Sequence, residues 1–109
     1  WWGGEFGRGP KVDWEPPWNG GRNHYGQCFT HVVAGGGFQG GKVVGASNAT
    51  GEQVAERPVS VQDLIGSIYE LMGIDPDGPL PNPRGEDIKV LPSSEEMGIK
   101  TEGRLYEIM

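Results

Sequence analysis

The chain has 109 residues, 20 of them glycine and 9 proline, with 35% hydrophobic residues against an ordinary apolar share of roughly 45–50%. That length holds one small domain with little side chain to bury, so the core is expected to be incomplete and the isolated unit marginal. The formal net charge of -6 excludes a phosphate-backbone binder, which needs clustered Lys and Arg, and no run of roughly 18 apolar residues is present to span a bilayer. Cys28 is the single cysteine, so there is no internal disulfide and no CxxC metal or redox motif.

Taken in chain order, Trp1 and Trp2 followed by Gly3 and Gly4 read as the end of an apolar strand opening into a loop, the position where open α/β sheets place ligands. Glu5 would then sit at a strand's carboxyl end. The loop runs from Gly3 to about Gln27, longer than the roughly 12–15 residues of an ordinary connector. Trp14, Pro16, Pro17 and Trp18 predict that it is ordered, because aromatics in a loop need something to pack on and proline lowers the entropy lost on ordering. CFTHVVA, Cys28 to Ala34, is β-branched and aromatic enough for a strand, and Gly35 to Gly37 end it. Lys42 to Ala46 is a second short strand after the Gly40-Gly41 turn, and the two are expected to pair as a hairpin or sheet edge.

Residues 47 to 57 are polar and turn-rich. The clearest helix follows, Ser60 to Met72, with Ser60 as N-cap, Asp63 in the capping-box position and Gly73 as the stop. Leu64, Ile65, Ile68, Leu71 and Met72 fall on one face, which predicts packing on a sheet. Asp75 to Pro83 is a proline-rich turn region, Asp87 to Leu91 a last edge strand, and 93 to 109 a charged tail with a terminal turn around Leu105 to Met109.

Chemistry concentrates in EFGRGP, Glu5 to Pro10, and GRNHY, Gly21 to Tyr25. Arg8 and Arg22 read as guanidinium forks for an anionic substrate or as pins that pair with Asp13 or Glu15, pinning being the first expectation for Arg22. His24 reads as a metal ligand or as a loop residue bonded to its own backbone, and Glu5 as a ligand or a solvated charge. His31 is a secondary candidate. GGGFQGG, Gly35 to Gly41, lacks the Lys-Ser/Thr of a phosphate loop and reads as a tight turn. Cys28 reads as a small buried hydrophobe.

Four blocks in this order, GGEFGRGP, GGRNHYGQCF, VVAGGGFQGGKVVGAS and RPVSVQDLIGSIYELMGIDPD, resemble the C-terminal third of an uncharacterised bacterial family in the alkaline phosphatase and sulfatase superfamily. The resemblance covers Trp1 to about Leu91. It implies an α/β fold of three αβα layers with a mostly parallel sheet, here a C-terminal piece with an incomplete sheet. Residues 1–92 would be part of that domain and 93–109 its tail, and the absence of an initiating Met is read the same way. The resemblance further implies a divalent metal ion (zinc, calcium, magnesium or manganese) held by Glu5, Asn23 and His24, with Arg8 and Arg22 facing a small anionic ester.

The resemblance thus implies half the metal site of a phosphate- or sulfate-ester hydrolase, with the nucleophile in an N-terminal part of the same polypeptide and export to the periplasm or outside. No nucleic-acid partner is implied. Two departures bear on the chemistry. The family's GRDHW stands here as GRNHY, which replaces a carboxylate by the Asn23 amide, and its EFGRTP as EFGRGP, which puts Gly9 where a Thr hydroxyl would be. The first favours an alternative, a non-catalytic exported binding or scaffold protein that keeps the fold.

Overall fold

The computed structural model describes residues 1–109 as two compact units. One comprises Trp1–Ala34 and Val44–Arg57, the other Gly35–Val43 and Pro58–Met109. The elements in order are β1 (Gly7–Arg8), β2 (His24–Tyr25), β3 (Ala46–Ser47), β4 (Val54–Glu56), α1 (Val61–Leu71) and a terminal 3-10 turn at Tyr106–Ile108.

The first unit holds both sheets, each a two-stranded antiparallel pair, β1 with β2 and β3 with β4. No residue in it is buried. Backbone bonds hold it instead. Trp2 and Val32 exchange N–H···O bonds of 2.8 and 2.9 Å, and Asp13 and Gly21 form a further bridge. The β3–β4 connection is organised by Asn48, whose Oδ1 accepts from the amides of Glu52 and Gln53, the local bonding that makes Asn a turn residue. Tyr25 ties this hairpin to β2 by donating its hydroxyl to the Glu52 carbonyl at 2.7 Å.

The second unit is built on α1. Ser60 is its N-cap: Ser60 Oγ accepts from Asp63 N and Asp63 Oδ2 accepts from Ser60 N, completing the predicted capping box. Of the predicted apolar face Leu64 is buried, Ile65, Ile68 and Leu71 are half-buried and Met72 is exposed. The helix's most enclosed stripe is a different one, made of Asp63, Gly66 and Ser67. Against it lies the tail. Ser94 Oγ donates to Asp63 Oδ1 at 2.7 Å, Ser67 Oγ accepts from Leu105 N at 2.8 Å, and a Cβ on Gly66 would meet Arg104 Nε at 3.0 Å. Leu105 and Ile108 join Leu64 as the buried hydrophobic residues. The segment 35–43 clamps the terminus: Gln39 N donates to Ile108 O at 2.7 Å, and Lys42 Nζ to Glu107 O at 3.0 Å.

Several expectations are corrected. The fold is not a three-layer αβα assembly, complete or partial, because it has one helix and four short strands in two antiparallel pairs, with no parallel sheet. A parallel sheet needs crossover connections to bring strands side by side, and a single helix cannot provide its two outer layers. Residues 28–34 form no strand: only Val32 is paired, with Trp2. Lys42 to Ala46 overlaps β3 only at Ala46, and β3 pairs with β4, which lies in the stretch read as a polar turn. Positive φ at Gly41 and Gly45 breaks the extended backbone on either side of Val43 and Val44. DIKVL forms an isolated bridge, Lys89 to Pro79, in place of a strand. No sheet lies within the helix's unit, and the tail takes that role.

Arg104 is the ionic fastener of the second unit, bonded through Nη1 to Glu70 Oε1 and through Nη2 to Asp77 Oδ2 at 2.7 Å. Partial burial opposes its charge, but the Asp77, Tyr106 and Glu70 interactions prevail and raise its already high pKa. The two bonds use the planar fork. Arg104→Lys, which keeps the charge and loses the fork, is expected to cost about 1 kcal/mol, read as faster hydrogen exchange of the α1 amides.

No helix is long and apolar enough to cross a membrane.

Candidate functional site

The first unit presents a groove of about 510 Å³ on the β1–β2 pair. Its position follows from strand geometry. Arg8 and His24 are register partners, and residues directly opposite in an antiparallel pair project to the same face. Both line the groove, as do Arg22 and Asn23 on the approach to β2, and Asp13, Trp18 and Gly21 from the intervening loop complete it.

That loop folds as a closed excursion. Asp13 N donates to Gly21 O at 2.7 Å and Gly20 N to Asp13 O at 2.8 Å, while Trp18 N and Asn19 N both donate to Glu15 O. The loop is therefore tied by main-chain bonds and by the Asp13 side chain, whose Oδ1 accepts from Glu15 N at 3.0 Å. Its tryptophans do not pack inward. Trp14 is 72% and Trp18 66% exposed.

Four of the five residues singled out in the sequence, Arg8, Arg22, Asn23 and His24, thus meet in one groove. Glu5 is exposed and is not among its lining residues. Its neighbour Phe6 lies against the His24 ring with centroids 4.3 Å apart, which fixes the imidazole from one side. Arg8 takes a pinning role different from the one anticipated, donating from Nη1 to the Arg22 carbonyl at 3.2 Å. His31 stands elsewhere in the unit: its Nδ1 accepts from Trp1 Nε1 at 3.0 Å and its ring meets Phe29 edge-on. Cys28 is free and half-buried.

Asp13 and Trp18 are the groove residues that sequence reasoning did not assign. In the sequence Asp13 reads only as an arginine partner, and nothing in the pattern DWEPPW says that the loop turns back to lay residue 18 beside residues 8 and 22. The charge at the groove is two guanidiniums against one carboxylate, a local excess of positive charge on a chain whose net charge is -6.

The donor set does not fit a divalent ion by itself. Asp13 supplies a single carboxylate beside the neutral donors Asn23 and His24, Glu5 lies outside the groove, and no group of three or more His, Cys, Asp or Glu side chains is gathered anywhere in the structure. Hard divalent ions take several oxygen ligands, carboxylates prominent among them, more than this groove supplies.

Residues 1–97 match the family model described as Protein of unknown function (DUF1501), and the chain belongs to that family. No curated protein and no solved structure matches the chain.

Proposed function

Within that family, we propose that this chain provides the oxyanion-binding groove of a protein that acts on phosphate or sulfate esters, the attacking nucleophile coming from outside the groove. The observation that carries the reading is the convergence of Arg8, Arg22 and His24 on one groove of a chain that is otherwise acidic. Guanidinium groups bind tetrahedral oxyanions through paired N–H donors, and an imidazole N–H adds a further donor. The cross-strand pairing of Arg8 with His24 sets their spacing by backbone geometry. The resemblance of EFGRGP and GRNHY to motifs of a phosphatase and sulfatase superfamily supports the same chemistry. A divalent ion bound at this groove would need oxygen donors from beyond it to complete its coordination.

Calorimetric titration of the chain with inorganic phosphate and with sulfate tests the reading. Saturable binding is expected, weakened about tenfold or more by Arg8→Ala and less by Lys11→Ala, whose charge lies outside the groove. Binding unchanged in both variants would overturn it. Hydrolysis of an aryl phosphate or aryl sulfate by the protein carrying this chain, abolished by Arg8→Ala, would establish the ester-hydrolase half. Oxyanion binding without hydrolysis would instead favour the non-catalytic binding protein, to which the Asn23 amide, standing where the resembled motif has Asp, already points.

A further inference from the structure

The groove described above contains two groups that a bare oxyanion does not use. Trp18 borders it with 66% of its surface in water. A tryptophan can bury roughly 150 to 250 Å² of surface, yet the bonds from Trp18 N and Asn19 N to Glu15 O hold this one at the groove's rim. Trp14 is differently placed, its ring lying 3.3 Å from where a Cβ on Gly20 would stand. The second group is Asp13. It lines the same groove as Arg8 and Arg22, and a carboxylate there repels a simple anion but accepts from hydroxyl donors. One of its oxygens takes the Glu15 amide, and an ionised carboxylate has lone pairs to spare.

An exposed indole face, a carboxylate acceptor, a primary amide and two guanidiniums together describe a ligand with an apolar ring face, hydroxyl groups and an anionic substituent. We propose that the groove takes a sugar carrying a sulfate or phosphate ester. The ester oxyanion lies on Arg8 and Arg22, ring hydroxyls on Asp13 and Asn23, and the C–H face of the ring on the Trp18 indole. This rests on the oxyanion-binding reading and adds the substrate class to it. A nucleotide is the less suitable occupant, because Trp18 is the one tryptophan, tyrosine or phenylalanine in the lining and a base would have no second ring of that kind to stack on.

Calorimetry on the chain with glucose 6-sulfate, glucose 6-phosphate, inorganic sulfate, inorganic phosphate, glucose and adenosine monophosphate decides it. A sugar ester is expected to bind about tenfold tighter than its inorganic anion, with Trp18→Ala removing that advantage, Trp18→Phe keeping most of it, and the anions themselves binding Trp18→Ala as before. Which of the two sugar esters binds tighter identifies the ester. Sugar ester and inorganic anion binding equally would overturn the inference and leave the oxyanion reading standing, whereas no binding of any anion would overturn both. Tightest binding of adenosine monophosphate, or equal losses for anion and sugar ester in Trp18→Ala, would also overturn the inference.

Discussion

Asp63→Ala is expected to cost the second unit about 3 kcal/mol, because it removes a buried carboxylate that accepts two hydrogen bonds at once. Asp63 is 4% exposed and accepts from Ser60 N at 2.9 Å and from Ser94 Oγ at 2.7 Å. The first bond closes the start of α1 and the second holds the tail on the helix, so one carboxylate joins local to long-range structure. Burial alone would push its pKa up, but the hydrogen bonds from Ser60, Ser94 and Thr101 outweigh burial and hold it below the ordinary aspartate value. The sign follows. A group whose folded pKa is depressed contributes stability that is fully present above the unfolded value, near 4, and is lost as pH falls through the folded value. Urea denaturation of the wild-type chain should therefore show stability level above about pH 5 and falling below about pH 4, with a shallower acid limb in Asp63→Asn. Glu96 is also held low, to about 2, chiefly by its hydrogen bond from Lys89, but both side chains are well exposed. An acid limb equally steep in wild type and Asp63→Asn would show that Asp63 does not join tail to helix.

Helix α1 was legible because its signals are local: a Ser60 cap, an acid three residues on and a glycine stop all act within one turn of the chain. The face that the helix buries most deeply was not. Apolar periodicity pointed to the side of Leu64, Ile68 and Leu71, whereas Asp63, Gly66 and Ser67 are the side enclosed by Ser94, Arg104 and Leu105. A polar stripe is buried when partners 30 or more residues away satisfy it, as Ser94 satisfies Asp63 and Leu105 satisfies Ser67 with |i−j| of 31 and 38. Pattern analysis sees no such partner. The strand assignments failed for a related reason. CFTHVVA has the residue types of a strand, but a strand exists only where a neighbour aligns with it, and here that neighbour is Trp2 alone. At the site, residue types in EFGRGP and GRNHY identified four groove residues, and what escaped was the return of the 13–21 loop, set by the Asp13–Gly21 bridge.

Gly7→Ala should damage the groove and the first unit together, whereas Gly9→Ala, two residues on, should be nearly silent. A Cβ on Gly7 would stand 2.6 Å from Phe29 Cβ, 3.0 Å from Cys28 O and 3.3 Å from Tyr25 O. None of these is the far end of a flexible side chain, so relief requires β1 and the 28–29 segment to part, with a smaller shift against Tyr25 of β2. Overpacking of this kind costs about 2–3 kcal/mol, a large share of what a unit with no buried residue has to lose. The displacement also falls on the register that sets Arg8 opposite His24. Phosphate or sulfate affinity should therefore fall with stability even though no groove side chain has changed. A Cβ on Gly9 would meet nothing closer than Asn23 O at 3.8 Å, an ordinary contact, and substitutions of that kind stay within about 0.5 kcal/mol. Thermal unfolding and anion titration of the two variants side by side separate the effects. Equal behaviour of Gly7→Ala and Gly9→Ala would mean that the close approach of β1 to Phe29 and Cys28 does not support the spacing of Arg8 and His24.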